Sequence, residues 1–388
     1  MNVLKITGHQ NIKVIISAVF LIGFAVLLFA LNSPQEGAVS TAASQLKFAR
    51  ARVTKILIDD ASPDVWTEGL RLGTQQVFLE LESGEFKGEE LPAVNYLNAY
   101  TNVDLKVGTR VIVRLDYYEN GDPYVASVSN YSRDIVLIGL LVLFAALLIG
   151  FGGKKGFASL LGLIFTVVSI WFFLIPLIQR GFPAIPASIL LVAVTTTVAM
   201  MLLNGFSHKT LCAILGCVGG VLVAGVIAVI VGELTPITGF NMPESEEIVL
   251  RAGDSGLKIS GLLVSGILIS ALGAVMDTSM SITSSVFELH SMNPSVPRNK
   301  LFQSGINIGR DAMGTMSNTL ILAFAGTSLN TLILFRVFDY PYLQIFNSDM
   351  MAIEVIQGLC GSIGIVLTVP LVAALSAVMC SFASKKTR

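Results

Sequence analysis

Residues 261–289 read GLLVSGILISALGAVMDTSMSITSSVFEL, and their only charged side chains are Asp277 and Glu288. A helix that crosses a bilayer needs about 20 predominantly apolar residues, and this stretch exceeds that. Projected at about 100° per residue, Gly266, Ser270, Gly273, Asp277, Ser281, Ser284 and Glu288 fall on one narrow stripe. The outer half of the stripe is small, which lets helices approach closely. Its inner half is acidic and hydroxylated.

Seven more stretches have spanning length: 14–31, 135–151, 157–178, 183–203, 211–231, 306–335 and 355–382. Together they predict an α-helical polytopic membrane protein of about eight transmembrane helices. The composition agrees, with 53% hydrophobic and 13% charged residues and a mean hydropathy of +0.75. Soluble domains run about 25% charged, so a lipid phase must solvate part of this chain. A net charge of -1 and no basic patch give no footing for nucleic acid.

Positive charge on short loops marks the cytoplasmic side. With the N-terminus inside, the inner segments hold Lys5, Lys13, Lys154, Lys155, Lys209, Arg298, Lys300, Lys385, Lys386 and Arg388, and no acid. The short outer loops hold four bases against eight acids, among them Glu233, Asp349 and Glu354. This alternation holds through eight helices and would break with an odd number, so both termini are expected in the cytoplasm. The first stretch follows a basic start, as a signal peptide does. It is long for one, and Leu31–Asn32–Ser33–Pro34 is a poor cleavage site. The expectation is an uncleaved anchor over 1–31.

Residues 32–134 contain 25 of the 51 charged residues and no long apolar run. They are expected to form a small all-β extracytoplasmic domain, with strands at 46–58, 74–81, 108–115 and 124–129. Asn120–Gly121 is a hairpin signal. Several short strands with glycine turns suggest an OB-like barrel, while 38–44 reads as a linker. A seven-helix membrane domain would then fill 135–388. The outer domain has no cysteine, so no disulfide framework is expected.

Only Asp277, Glu288, Arg310 and Asp311 place charge inside the predicted spans. Such residues cost on the order of 2.5–3.5 kcal/mol at mid-membrane and point to a functional site. The seventh helix matches the sixth with its own stripe of Ser304, Asn307, Asp311, Gly314 and Asn318, with Thr315 beside it. The connection 290–300 is short, so the two helices should form an antiparallel hairpin with Asp277 near the level of Gly314 and Arg310. A carboxyl there can be held ionised by Arg310 or protonated when unpaired. The seventh span is long and carries Gly309, Gly314 and Gly326, so it reads either as a broken helix of the kind that lines binding sites or as a tilted one. Gly216, Gly219 and Gly220 suggest close packing of the fifth helix. Thr195–Thr197 reads as local backbone bonding. Metal spacings, phosphate loops and nucleophile motifs are absent from the sequence, so no enzyme, metal or cofactor is expected.

The stretches GAVMDTSMSITSSVFEL (273–289) and IGRDAMGTMSNTLILA (308–323) closely resemble those of the YibE/F-like bacterial membrane proteins. The resemblance implies a bacterial plasma membrane protein, and a partner that is a second copy or a related subunit of the family. A more distant likeness of layout and of the Val-Met-Asp-Thr-Ser segment connects the chain to RND-type permeases and the SecD/SecF proteins. There the matching acid takes part in proton-driven work, which implies that role for Asp277 alone.

The leading expectation is a secondary permease, proton-coupled, for a small solute or ion. Asp277, Glu288, Arg310 and Asp311 would form the relay, and Ser281, Ser284, Asn307, Gly314, Thr315 and Asn318 would line the path. The alternative is a non-transporting assembly, sensing or accessory protein that acts through its outer domain. A third reading pairs Asp277 with Asp311 as an intramembrane aspartyl hydrolase, but Gly309–Arg310–Asp311 lacks the GxGD pattern of those proteases.

Overall fold

The computed structural model describes residues 23–33, 47–117, 123–243, 245–252 and 258–385. The chain divides into two compact units, one of residues 35–147 and one of 1–34 with 148–388.

The first unit holds six strands: β1 (Lys47–Asp59), β2 (Ser62–Pro63), β3 (Arg71–Leu81), β4 (Glu90–Leu97), β5 (Arg110–Tyr117) and β6 (Pro123–Tyr131). Their order is β1-β5-β6-β4-β3-β2, and β1 also pairs with β3. Five strands thus close into a barrel, in which β4 and β6 are parallel and the other neighbours antiparallel. Period-two alternation sends Ala49, Ala51 and Val53 of β1 inward to meet Val77, Leu79 and Leu81 of β3 and Val111 and Val113 of β5. The four expected strands appear within a few residues of their predicted bounds. The expected hairpin at 120–121 and the linker at 38–44 lie outside the described residues.

The sequence reading missed β4. Pro92 looks like a strand breaker, and Asn95 interrupts the inward apolar series of Leu91, Ala93 and Leu97. Both have a place in the barrel. Asn95 is buried and donates to the Gln75 side chain at 3.0 Å and to the Val103 carbonyl at 2.7 Å. Gln75, also buried, donates to the Asp59 carboxylate at 3.0 Å and to the Leu105 carbonyl at 3.2 Å. Arg71 bridges Asp59 and Asp104. Burial pushes the Asp59 carboxyl up, but hydrogen bonds from Gln75, Arg71 and the Ala61 N–H outweigh it and hold the group below the ordinary carboxylate value. One end of the barrel is therefore pinned by a polar network and not by apolar packing.

The helices are α1 (Gly23–Asn32), α2 (Asp134–Ser169), α3 (Ile175–Gln179), α4 (Ala184–Asn204), α5 (His208–Leu234), α6 (Ser245–Ala252), α7 (Leu262–Met292), α8 (Arg298–Thr327), α9 (Leu329–Val337), α10 (Tyr342–Phe346) and α11 (Asp349–Lys385). A π-helical turn at Ile170–Leu174 joins α2 to α3. Five helical stretches are long and apolar enough to cross a membrane, and six if α8 and α9 count as one bent span. That is fewer than the eight expected. The shortfall arises partly because Asp134–Gln179 runs continuously for 46 residues and partly because only the last residues of the first stretch are described. Yet Gly153 inside α2 has φ 53 and ψ -132, far from helical, and a Cβ on Gly156 would stand 2.0 Å from the Leu148 carbonyl oxygen. The chain is thus sharply broken between the two predicted spans 135–151 and 157–178.

In the second unit, α11 packs against α5, α7 and α8, and α5 against α7. Small residues make these approaches possible. A Cβ on Gly220 of α5 would lie 1.9 Å from Thr368 Oγ1 of α11, and one on Gly216 would lie 2.5 Å from Val372 Cγ2. The expected close packing of this helix is found. Two of the three threonines of α4 behave as expected, since Thr195 Oγ1 donates to the Leu191 carbonyl at 2.8 Å and Thr197 Oγ1 to that of Ala193 at 2.7 Å, whereas Thr196 meets Cys217 Sγ on α5. Arg180 donates to the carbonyls of Ala30 and Leu31 at 2.9 and 2.8 Å, closing the C-terminal end of α1.

Candidate functional site

Helices α7 and α8 run antiparallel, and two contacts fix their register. Ile282 Cδ1 lies 3.0 Å from the Cβ position of Gly309, and Val286 Cγ2 lies 3.2 Å from that of Gly305. Carried along the pair residue by residue, this register sets Asp277 level with Gly314. Ser281 comes level with Arg310, Ser284 with Asn307, and Gly273 with Asn318. The expected depth of Asp277 beside Gly314 is what the contacts give.

Asp277 is the central residue of α7, with fifteen helical residues on either side. A charge there is far from both helix ends, where snorkelling would be easiest.

Charges inside a span are expected to face protein or water, and here both stripes turn away from this chain's own packed core. Val275, Ile282 and Val286 are buried against the bundle, and Val286 lies about 180° around the helix from Asp277. Asp277, Ser281 and Glu288 are exposed, and Ser284 is half-buried. On α8, Leu301, Gly305 and Gly309 form the buried face, while Asn307, Arg310, Asp311, Gly314, Thr315 and Asn318 are all exposed. Both polar stripes therefore lie on faces turned away from the packed core. Apolar side chains fill both the core and the lipid-facing sides of such helices, so sequence periodicity alone does not tell one from the other.

Among the described residues, Asp277, Glu288, Arg310 and Asp311 make no side-chain hydrogen bond or ion pair. The Asp277–Arg310 pair considered from the sequence is not formed. Asp311 contributes its backbone carbonyl to Thr315 Oγ1 at 3.4 Å.

Apart from the threonines of α4, the buried polar contacts of the bundle involve residues that the sequence patterns do not single out. Ser376 Oγ on α11 bonds Thr283 Oγ1 on α7 at 3.3 Å and Cys212 Sγ on α5 at 3.4 Å. Thr196 on α4 meets Cys217 Sγ on α5 at 3.7 Å. Ser279 Oγ is buried without a partner among the described residues. Isolated Ser, Thr and Cys in apolar stretches carry little signal, because each can satisfy itself on the preceding turn.

The seventh predicted span is broken, as one of its two readings required. The axes of α8 and α9 meet at 57°, and Ser328 at the junction donates its N–H and Oγ to the Phe324 carbonyl at 3.0 and 2.9 Å. The final helix begins at Asp349, six residues before the predicted span. Glu354, assigned to an outer loop from the sequence, therefore lies inside α11. Its Oε2 is buried with no hydrogen-bond partner among the described residues.

A family profile of YibE/F-like proteins matches residues 140–382. The chain belongs to the YibE/F-like family. The matched region takes in every charged residue of the two stripes and lies within the helical part of the chain. Family and apolar helices together identify a membrane protein. No curated protein and no solved structure matches the chain.

Proposed function

We propose that this YibE/F-like chain is a secondary permease of a bacterial plasma membrane, in which Asp277 takes up and releases a proton. One observation carries the reading. Asp277 is central in α7, exposed from the chain's own core and free of any ion pair or hydrogen bond among the described residues. Such a carboxyl changes protonation state without first breaking a structural contact. Intramembrane acids mark proton and ion pathways.

In this account Arg310, one helical turn inward of Asp277 by the register, is the charge that biases its ionisation. Asp311 and Glu288 continue the relay toward the inner face. Ser281, Ser284, Asn307, Gly314, Thr315 and Asn318 line the path of a small solute or ion. A second chain, a copy or a related family member, closes the open side. A two-fold axis along the membrane normal keeps each residue at its own depth, so Arg310 of one copy meets Asp311 of the other almost level.

The break at Gly153 supports two spans within Asp134–Gln179, whose 46 residues would reach about 69 Å if straight, more than twice the ~30 Å hydrocarbon core. With α1, α4, α5, α7, the α8–α9 pair and α11, this makes eight. The charge alternation then puts both termini in the cytoplasm and the barrel outside. The circuit β1-β3-β4-β6-β5 with its one parallel pair supports an OB-like Greek key.

The barrel favours a second reading, in which the chain acts as an assembly or sensing protein. Trp66 is 92% exposed and Tyr100 102%. Asn102 Nδ2 donates to the Arg71 carbonyl at 2.6 Å, tying the loop of Tyr100 to the base of the loop of Trp66. Rigid exposed aromatics suit a partner or an envelope polymer. Proton flux in proteoliposomes of wild type and D277N separates the readings, because only the permease needs the carboxyl.

A further inference from the structure

We propose that the end of the barrel that carries Trp66 and Tyr100 seats in the headgroup layer of the bilayer, on the face where α2 enters it. Strand direction puts the two together. β1 runs toward this end, and its antiparallel partner β5 starts there. β6, antiparallel to β5, ends there, and so does β4, which runs parallel to β6. The segments 60–70 and 98–109, after β1 and after β4, therefore lie at the end from which the chain leaves for α2 at Asp134.

The same end holds the exposed apolar surface of the barrel. Among its described residues, the five most exposed large apolar or aromatic side chains are Tyr100, Trp66, Val65, Val107 and Tyr96. The first four stand in those two segments, and Tyr96 is the last residue but one of β4. The opposite end differs. Its described loop, 82–89, exposes Glu85, Lys87 and Glu89 and turns Phe86 onto the core.

The aromatics are held outward by hydrogen-bonded turns. Asn98 Oδ1 accepts the N–H groups of Tyr100 and Thr101 at 2.8 and 2.7 Å, and Asp64 Oδ2 accepts that of Trp66 at 3.3 Å. The end of β6 is tied to both turns. The Tyr131 hydroxyl donates to the Asp104 carbonyl at 3.1 Å, Arg71 bridges to Asp104, and Asn102 bonds the Arg71 carbonyl.

Position decides the occupant. Residues 135–147 of α2 belong to the same compact unit as the barrel. They hold no polar side chain and are largely exposed, Val136 at 74%, so the helix needs hydrocarbon from its first turn. Its first residue, Asp134, accepts from Ser132 Oγ at 2.7 Å and pairs with Arg50 of β1. The bilayer surface thus lies three residues beyond β6. Trp and Tyr concentrate at that depth, because the ring enters the apolar layer while its N–H or O–H stays with headgroups and water. A partner protein or a polymer would also cover the rings, but the bilayer is the occupant that the chain itself brings to this end. The inference does not rest on transport.

The test uses the full chain in proteoliposomes. The sequence has two tryptophans, Trp66 and Trp171, so W171F leaves Trp66 as the sole reporter. Its emission is read in phosphatidylcholine, in the same lipid brominated on the acyl chains near the headgroup, and with iodide on both sides of the membrane. The expected result is blue-shifted emission, largely lost in brominated lipid and spared by iodide. Emission quenched by iodide and not by brominated lipid puts Trp66 in water and overturns the proposal. Emission spared by both puts protein over the ring and overturns it equally. A second measurement leaves Trp171 in place and puts nitroxides on T67C and E85C, the four native cysteines being buried. The T67C label should collide more with oxygen than with a water-soluble nickel chelate, and the E85C label the reverse. The same pattern at both positions overturns the proposal.

Discussion

Ile282 of α7 lies against Gly309 of α8, its Cδ1 3.0 Å from where a Cβ would stand, while Val369 Cγ1 of α11 closes the same space at 2.2 Å. Three helices meet at that one backbone position, and the level of every polar residue on α7 and α8 follows from it. Valine at Gly309 cannot fit without moving α8. We predict that G309V lowers stability by about 1–3 kcal/mol, the usual cost of overpacking, seen as a lower melting temperature in detergent. An unchanged melt would mean that α8 is not seated as described.

The polar end of the barrel predicts an acid sensitivity. Asp59 is held below its ordinary pKa of 3.8, so its contribution is present above that value and is lost as pH falls through the lower, folded value. Replacing Arg71 with Met removes the bridge to Asp59 and Asp104. We expect a loss of about 1–2 kcal/mol at neutral pH, in the range for hydrogen bonds to charged groups, that shrinks below about pH 4. Hydrogen exchange over residues 47–131 of the full chain, read at pH 7 and at pH 3, measures it. A pH-independent difference would assign the effect of Arg71 to packing.

Deleting the Asn95 amide should be costly despite its size. N95A leaves the Val103 carbonyl and the Gln75 oxygen short of a donor, with Gln75 Oε1 keeping the Leu105 N–H at 3.0 Å. The expected destabilisation is about 1–3 kcal/mol, by the same exchange measurement. N95D should be worse, because it turns a donor into a buried charge.

The proposed topology, eight spans with both ends inside, makes a labelling prediction. The four native cysteines are buried, so background in intact cells is low. E85C, in the barrel, should react with a membrane-impermeant maleimide added outside, and S295C, between α7 and α8, should react only after lysis. Outside labelling of S295C would invert the topology or change the number of spans.

Much of this was legible in the chain. Apolar length marked the helices, and the short turn at 290–300 was enough to set Asp277 beside Gly314, since an antiparallel hairpin leaves little freedom in register. Gly216 and Gly220 announced close packing. Three things were hidden. Strand β4 was masked by Pro92 and by an inward Asn95 whose partners come from distant residues. The outward turn of the stripes could not be read, because lipid and core ask for the same side chains. Glu354 was lost because α11 begins a turn and a half before the hydropathy rises, and a helix start is set by what caps it. Here Ser348 Oγ accepts the Met351 N–H at 3.4 Å.

The measurement closest to the central claim is proton movement into proteoliposomes under an imposed pH gradient, followed with a trapped pH-sensitive dye, for wild type and D277N. The account predicts flux in the wild type and at most a background leak in D277N, with both proteins equally inserted and equally stable. Flux in D277N equal to an active wild type would remove Asp277 from the mechanism. Background flux in both would contradict the permease reading and turn attention to what the exposed aromatic end of the barrel binds.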